Sequence, residues 1–166
     1  MDTLTQENSE LSINEIHSSL SNSSVELADI FWEIPRVKQL IKTDEQTKSP
    51  IEILVMMRIM GEVFAERIKR IFAEERTDII KFHDYDENKQ MAKITVSEET
   101  VKHNLNLFLK ARSQLLNKIS FLTEEEWDVK KCKINDIELS IRELLIPVVN
   151  REKQFIDSLK ILLSLI

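Results

Sequence analysis

Ser49-Pro50-Ile51-Glu52-Ile53-Leu54-Val55-Met56-Met57 reads as the opening of a helix, and that reading decides the fold class. In S-x-x-E spacing the hydroxyl accepts a backbone N–H of the first turn, while the glutamate reaches back to the cap residue's own N–H. Pro50 falls at the first helical position, where a missing N–H is harmless. Beyond it, Ile53, Met56, Met57, Met60, Phe64, Ile68, Ile71 and Phe72 recur at helical spacing, which predicts a helix running to about Glu75. Gly61 lies mid-helix, at a cost of about 1 kcal/mol against alanine. A glycine there is expected where a neighbouring helix comes close.

The same punctuation recurs at Ser23-Ser24-Val25-Glu26, Thr123-Glu124-Glu125-Glu126 and Ser140-Ile141-Arg142-Glu143. The first predicts a helix towards Lys42 with Leu27, Ile30, Phe31, Ile34, Val37, Leu40 and Ile41 on its buried stripe, kinked or divided at Pro35. A third long helix is predicted from Ser97, with Val101, Leu105, Phe108, Leu115, Ile119 and Leu122 facing inward. The Thr123 box opens a short turn to Val129, whose Trp127 should close one end. The Ser140 box opens the last helix, which Pro147 should kink or break. Residues 76 to about 96 make a long connection, and residues 1–22, rich in Ser, Asn and Glu, read as a mobile arm with at most a short helix around Ile13 to Leu20. The expectation is an all-α, up-down four-helix bundle over residues 23–166, with a long crossover between its second and third helices.

Composition agrees. The 166 residues hold one Gly and three Pro, too few to turn a sheet many times, and 42% hydrophobic residues, enough for one core. A net charge of −6 speaks against nucleic acid as a partner. The basic stretch Lys130-Lys131-Cys132-Lys133 reads as a solvated loop, whose lysines should lower the Cys132 thiol's pKa. With a single cysteine no intramolecular disulfide forms, which fits a cytoplasmic protein. The N-terminus lacks a basic-then-apolar leader pattern, and the apolar runs are too short to span a bilayer. No phosphate loop, nucleophile elbow, H-E-x-x-H or C-x-x-C is present; His17 falls in the arm, His83 between acidic and aromatic residues of the long connection, and His103 off the apolar stripe.

Taken in order, Ser49-Pro50-Ile51-Glu52-Ile53-Leu54-Val55, Phe64-Ala65-Glu66-Arg67-Ile68, Leu122-Thr123-Glu124-Glu125-Glu126-Trp127 and Ser140-Ile141-Arg142-Glu143-Leu144-Leu145 resemble the DinB/YfiT-like four-helix bundles over roughly residues 25–160. The resemblance implies a divalent metal, often zinc or nickel, held by one His on the second helix and an H-x-x-x-H pair on the fourth. It also implies thiol-transferase chemistry with bacillithiol, mycothiol or glutathione. By position, the second-helix ligand falls at Met56 and the fourth-helix pair at Arg151 and Phe155, or, one residue earlier, at Asn150 and Gln154. Neither frame offers an imidazole. No metal and no cofactor are therefore expected, and no catalytic residue is assigned.

Two readings of that degenerate pocket follow. Met56 and Phe155 fill core space, or Arg151, with Arg112, supplies a fixed cation for an acidic ligand. Arg112 itself falls on an apolar stripe, where it needs a carboxylate or a ligand. The candidate binding residues are thus Met56, Arg112, Asn150, Arg151, Gln154 and Phe155. The function expected is that of a metal-free binding or interaction protein, the alternative being a metal-dependent thiol transferase or hydrolase. The last helix ends in Phe155-Ile156, Leu159, Ile161-Leu162-Leu163 and Leu165-Ile166, apolar on more than one face. That breadth predicts a homodimer, unless the N-terminal arm covers the surface.

Overall fold

Ser12, and not Ser23, starts the first helix. The computed structural model describes residues 11–44, 47–73 and 79–166. In it α1 runs from Ile13 to Glu33. Ser12 Oγ accepts the Glu15 N–H at 3.1 Å and the Glu15 carboxylate accepts the Ser12 N–H at 3.0 Å, a further S-x-x-E box. The described part of the expected arm is therefore the beginning of a bundle helix, with Ile16 and Leu20 buried in the core. The rest, residues 1–10, lies outside the described residues. Ser23 and Ser24 stand mid-helix because their hydroxyls find the carbonyls of Leu20 and Ser21 instead of capping.

Pro35 ends α1 outright. It drives Ile34 into the extended region at ψ 123°, and only a short 3-10 turn, Arg36–Lys38, follows. Val37 and Leu40, expected on a buried stripe, are 78% and 61% exposed.

The second helix, α2 (Pro50–Phe72), begins as predicted, with Ser49 Oγ accepting the Glu52 N–H. Phe108 explains its glycine: a Cβ on Gly61 would stand 3.3 Å from that ring. The crossover contains β1 (Ile80–Phe82), the short α3 (Glu87–Met91) capped by Asp86, and a 3-10 turn, Val96–Glu98. The third long helix, α4 (Val101–Ser120), is capped by Thr100, whose hydroxyl accepts the His103 N–H, and not by Ser97. After it comes α5 (Glu124–Asp128), where the Thr123 box closes as predicted and Trp127 is buried at 1% exposure.

The basic stretch is a strand and not a loop. β2 (Lys130–Ile134) pairs with β3 (Ile137–Ser140) antiparallel and with β1 parallel, in the order β1-β2-β3. The two-residue turn Asn135-Asp136 has positive φ at both positions, 50° and 62°, the geometry that matches a hairpin's twist. Cys132 points inward from β2, fully buried. Burial raises its pKa and outweighs the nearby Arg67, so the lowering expected from the flanking lysines does not occur. β3 ends at Ser140, the N-cap of α6 (Ile141–Leu165), which continues through Pro147 without a break.

The four long helices enclose one core. α4 and α6 each pack against both α1 and α2, so consecutive α1 and α2 face each other diagonally. This is a four-helix bundle with the expected long crossover, and it carries a small three-stranded sheet at one side. Among the described residues no helix is long and apolar enough to cross a membrane.

Candidate functional site

The residues expected at the degenerate metal positions come together between α2 and α6. Met56, Arg151 and Phe155 line one cavity of about 390 Å³, with Ile53, Ser158 and Leu162 around them. Met56 is 4% exposed and Phe155 5%, so both fill space at the cavity's inner wall.

Arg151 is already engaged. Its Nε and Nη2 donate to the two carboxylate oxygens of Glu87 at 2.6 and 2.7 Å, a bidentate pair. Its Nη1 donates to Gln154 Oε1 at 2.8 Å, and the guanidinium stacks on the Phe155 ring at 4.2 Å. The Glu87 bond raises the Arg151 pKa. Gln154 is thus an exposed brace for Arg151, and Asn150 is half-buried just before it.

Arg112 lies elsewhere. It is buried among α1, α4 and α6, paired with Glu152 and donating to the Leu20 carbonyl and Ser23 Oγ. Its charge is thus met inside the core, away from the cavity.

A second cavity of about 390 Å³ opens on the other side of the Arg151–Glu87 pair. Met60, Phe64, Leu139, Leu144 and Val148 give it apolar walls, and Arg67, Tyr85 and the carboxylates of Asp84, Glu87 and Glu143 also line it. Tyr85 meets Phe64 edge to face at 5.9 Å. Burial, and then the Glu87 charge, push its pKa up to about 12, so the phenol stays a neutral donor. Sequence reasoning missed Arg67, Tyr85, Glu87 and Glu152 as a set. Glu152 carried a signal, since it interrupts the apolar row Leu145, Val148, Val149, Phe155, Ile156, Leu159 as Arg112 interrupts its own.

The donor set does not suit a divalent metal. A thioether, a phenyl ring and a cation already paired with a carboxylate stand where the resemblance implies three imidazoles. Among the described residues no group of three or more His, Cys, Asp or Glu could hold an ion.

Neither protein-family models nor the sequences of curated proteins match the chain. Among solved structures, the fold is similar to that of YfiT from Bacillus subtilis, described as "a probable metal-dependent hydrolase with an unusual four-helix bundle topology". The likeness has a TM-score of 0.76 and covers 92% of this chain and 88% of that one, at 12% identity. The chain therefore has the DinB/YfiT-like four-helix-bundle fold.

Proposed function

We propose that this chain is a metal-free binding protein built on the YfiT-type bundle, taking a small molecule between α2 and α6. The observation that carries the reading is the Arg151–Glu87 pair. It puts a satisfied, cationic side chain at the position where a metal ligand would stand, with cavities of small-molecule size on both sides. The rival reading, a metal-dependent thiol transferase or hydrolase, draws on what is said of YfiT. It would require ligands relocated from Met56, Arg151 and Phe155.

Metal analysis of protein purified without an affinity tag separates the two. The expected result is no stoichiometric zinc or nickel. Stoichiometric metal that disappears in His83→Ala or His103→Ala would overturn the binding reading.

As to partners, we propose a homodimer formed through the end of the bundle where α1 and α6 finish. Trp32 is 89% exposed there, with Ile161 and Leu165 at 62% and 66%. Lys38 Nζ donates to the Ile166 carbonyl at 2.9 Å, which places Val37 and Leu40 at that same end. A surface this apolar is uncommon on a monomer.

A further inference from the structure

Arg67 is a buried cation with no ion-pair partner among the described residues, the Asp84 charge acting on it only from a distance. It projects from α2 and is 8% exposed. Among the described residues no carboxylate lies within ion-pairing distance of it, and its one hydrogen bond goes to the His83 carbonyl. The guanidinium lies between two rings, 5.0 Å from the Phe64 centroid and 5.3 Å from that of Phe82. Of the cations near that cavity, Arg151 is neutralised by Glu87 and Lys130 by Glu143, while Arg70, on the Phe82 ring at 5.1 Å, lies outside its wall. Asp84, the remaining acid in the wall, is exposed and bonded to the Tyr85 N–H at 3.1 Å and to Asn135 Nδ2 at 3.4 Å.

A desolvated guanidinium retains its charge, and leaving it unpaired is costly. An anion that entered the cavity would relieve that cost. The surrounding walls are apolar (Met60, Phe64, Ile134, Leu139, Leu144, Val148), so the rest of such a ligand would be hydrocarbon. We infer that Arg67 anchors a site for small monocarboxylates with an apolar tail, in the cavity between α2, the crossover and α6. The inference rests on the binding reading above and names its ligand class. Arg67 makes the charge-assisted bond, Tyr85 offers a neutral hydroxyl in the same wall, and Asp84 at the mouth disfavours a second negative charge.

Octanoate and its neutral counterpart octan-1-ol serve as probes, titrated calorimetrically into the full chain at neutral pH. Octanoate should bind about ten-fold tighter than octanol or better, the worth of a hydrogen bond to a charged group. Arg67→Met should remove that preference, weakening octanoate far more than octanol, and Arg67→Lys should keep part of it. Asp84→Asn, an exposed change, should tighten octanoate by about two-fold or more while octanol stays the same. This second variant keeps the test decisive even if Arg67→Met fails to fold by circular dichroism. Octanoate binding no tighter than octanol, or a preference unmoved by Arg67→Met and Asp84→Asn, overturns the anion site. The metal content of the same preparation decides the underlying reading separately. A metal-free protein without carboxylate preference loses only the anion site, whereas stoichiometric zinc held by His83 or His103 removes the reading itself.

Discussion

Arg112 and Glu152 form an ion pair at the centre of the bundle, their side chains 2% and 1% exposed. The pair is bidentate, and Arg112 Nη1 also donates to the Leu20 carbonyl at 2.7 Å and to Ser23 Oγ at 3.1 Å. One guanidinium thereby ties α4 to α1 and α6. Its remaining nitrogen, Nε, has no partner among the described residues, and its other face lies on the Phe108 ring at 4.9 Å.

Removing one partner strands the other charge in the core. Arg112→Met is expected to cost about 3–5 kcal/mol, whereas replacing both partners by apolar residues of similar volume is often neutral. Arg112→Met/Glu152→Leu should therefore recover most of the loss, with the Ser23 hydroxyl still donating to the Leu20 carbonyl. Denaturant unfolding of the two variants checks this. A double variant as unstable as the single one would show that the pair adds stability beyond mutual compensation.

Gly61 gives a second test of packing. Phe108 is fully buried and pinned between the α2 backbone and Arg112, so it has little room to withdraw. Gly61→Ala gains about 1 kcal/mol of helix propensity but sets a carbon 3.3 Å from the ring. The expected net change is small. Gly61→Val, with branches added at the same contact, should cost about 1–3 kcal/mol in thermal or denaturant unfolding.

How much of this was legible in the sequence depends on which force wrote each feature. Helix starts at Ser49, Thr123 and Ser140 are local, a hydroxyl and a glutamate three residues apart, and they stand where the sequence put them. The Ser23 start did not, because the same spacing at Ser12 caps a helix that runs on unbroken through Ser23. Val37 and Leu40 continued a periodic pattern past Pro35, but the proline's steric demand on Ile34 overrode it. The hairpin was visible in Asn135-Asp136 between two short runs and was masked by the lysines of β2, none of which is buried. At the candidate site, Met56, Arg151 and Phe155 were placed by the family resemblance, which marks positions along two helices. The Glu87 partner and the lone Arg67 did not, since which side chain meets another across the crossover is set by tertiary packing and has no fixed spacing.

Tyr85 is the only tyrosine, so its ionisation can be followed directly by ultraviolet absorbance. Its folded pKa of about 12 exceeds the ordinary value of 10.0. The protonated phenol is thus retained longer in the folded chain. The stability it contributes is full below the unfolded value and is lost as pH rises from there through about 12. Because Tyr85 is only half-buried, the energetic effect is modest. Glu87→Gln should lower the Tyr85 value, since Glu87 raises it while Arg151 and Arg67 lower it. A midpoint near 10 in the parent protein would place the ring in solvent and remove it from the cavity wall.

The geometry around Met56 predicts what a restored donor set would do. Met56, Arg151 and Phe155 share one cavity, with the latter two at i, i+4 on α6. Met56→His/Arg151→His/Phe155→His should bind zinc at about one equivalent, with Glu87, released from Arg151, within reach as a carboxylate partner. Equilibrium dialysis and a metal-dependent rise in melting temperature read the result. A folded triple variant that binds no zinc would place the positions too far apart to share an ion.

The exposed end of the bundle carries the last prediction. Trp32 ends α1, Leu165 ends α6, and the Lys38–Ile166 bond holds the intervening turn against the C-terminus. Within the described chain nothing covers Trp32, Val37, Leu40, Ile161 or Leu165. Residues 11–22, once a candidate cover, are spent in the core instead. Burying these side chains against a second copy would remove apolar surface at roughly 25 cal/mol per Å², and the self-complementary geometry of a two-fold pair puts each patch on its like. Light scattering at high micromolar protein should therefore give twice the 19.5 kDa of one chain. Trp32→Glu/Leu165→Glu should return the mass to that of the monomer without altering the helical circular dichroism, because neither side chain enters the core. A parent protein that scatters as a monomer at that concentration rejects the dimer, and so does a dimer that survives both charges.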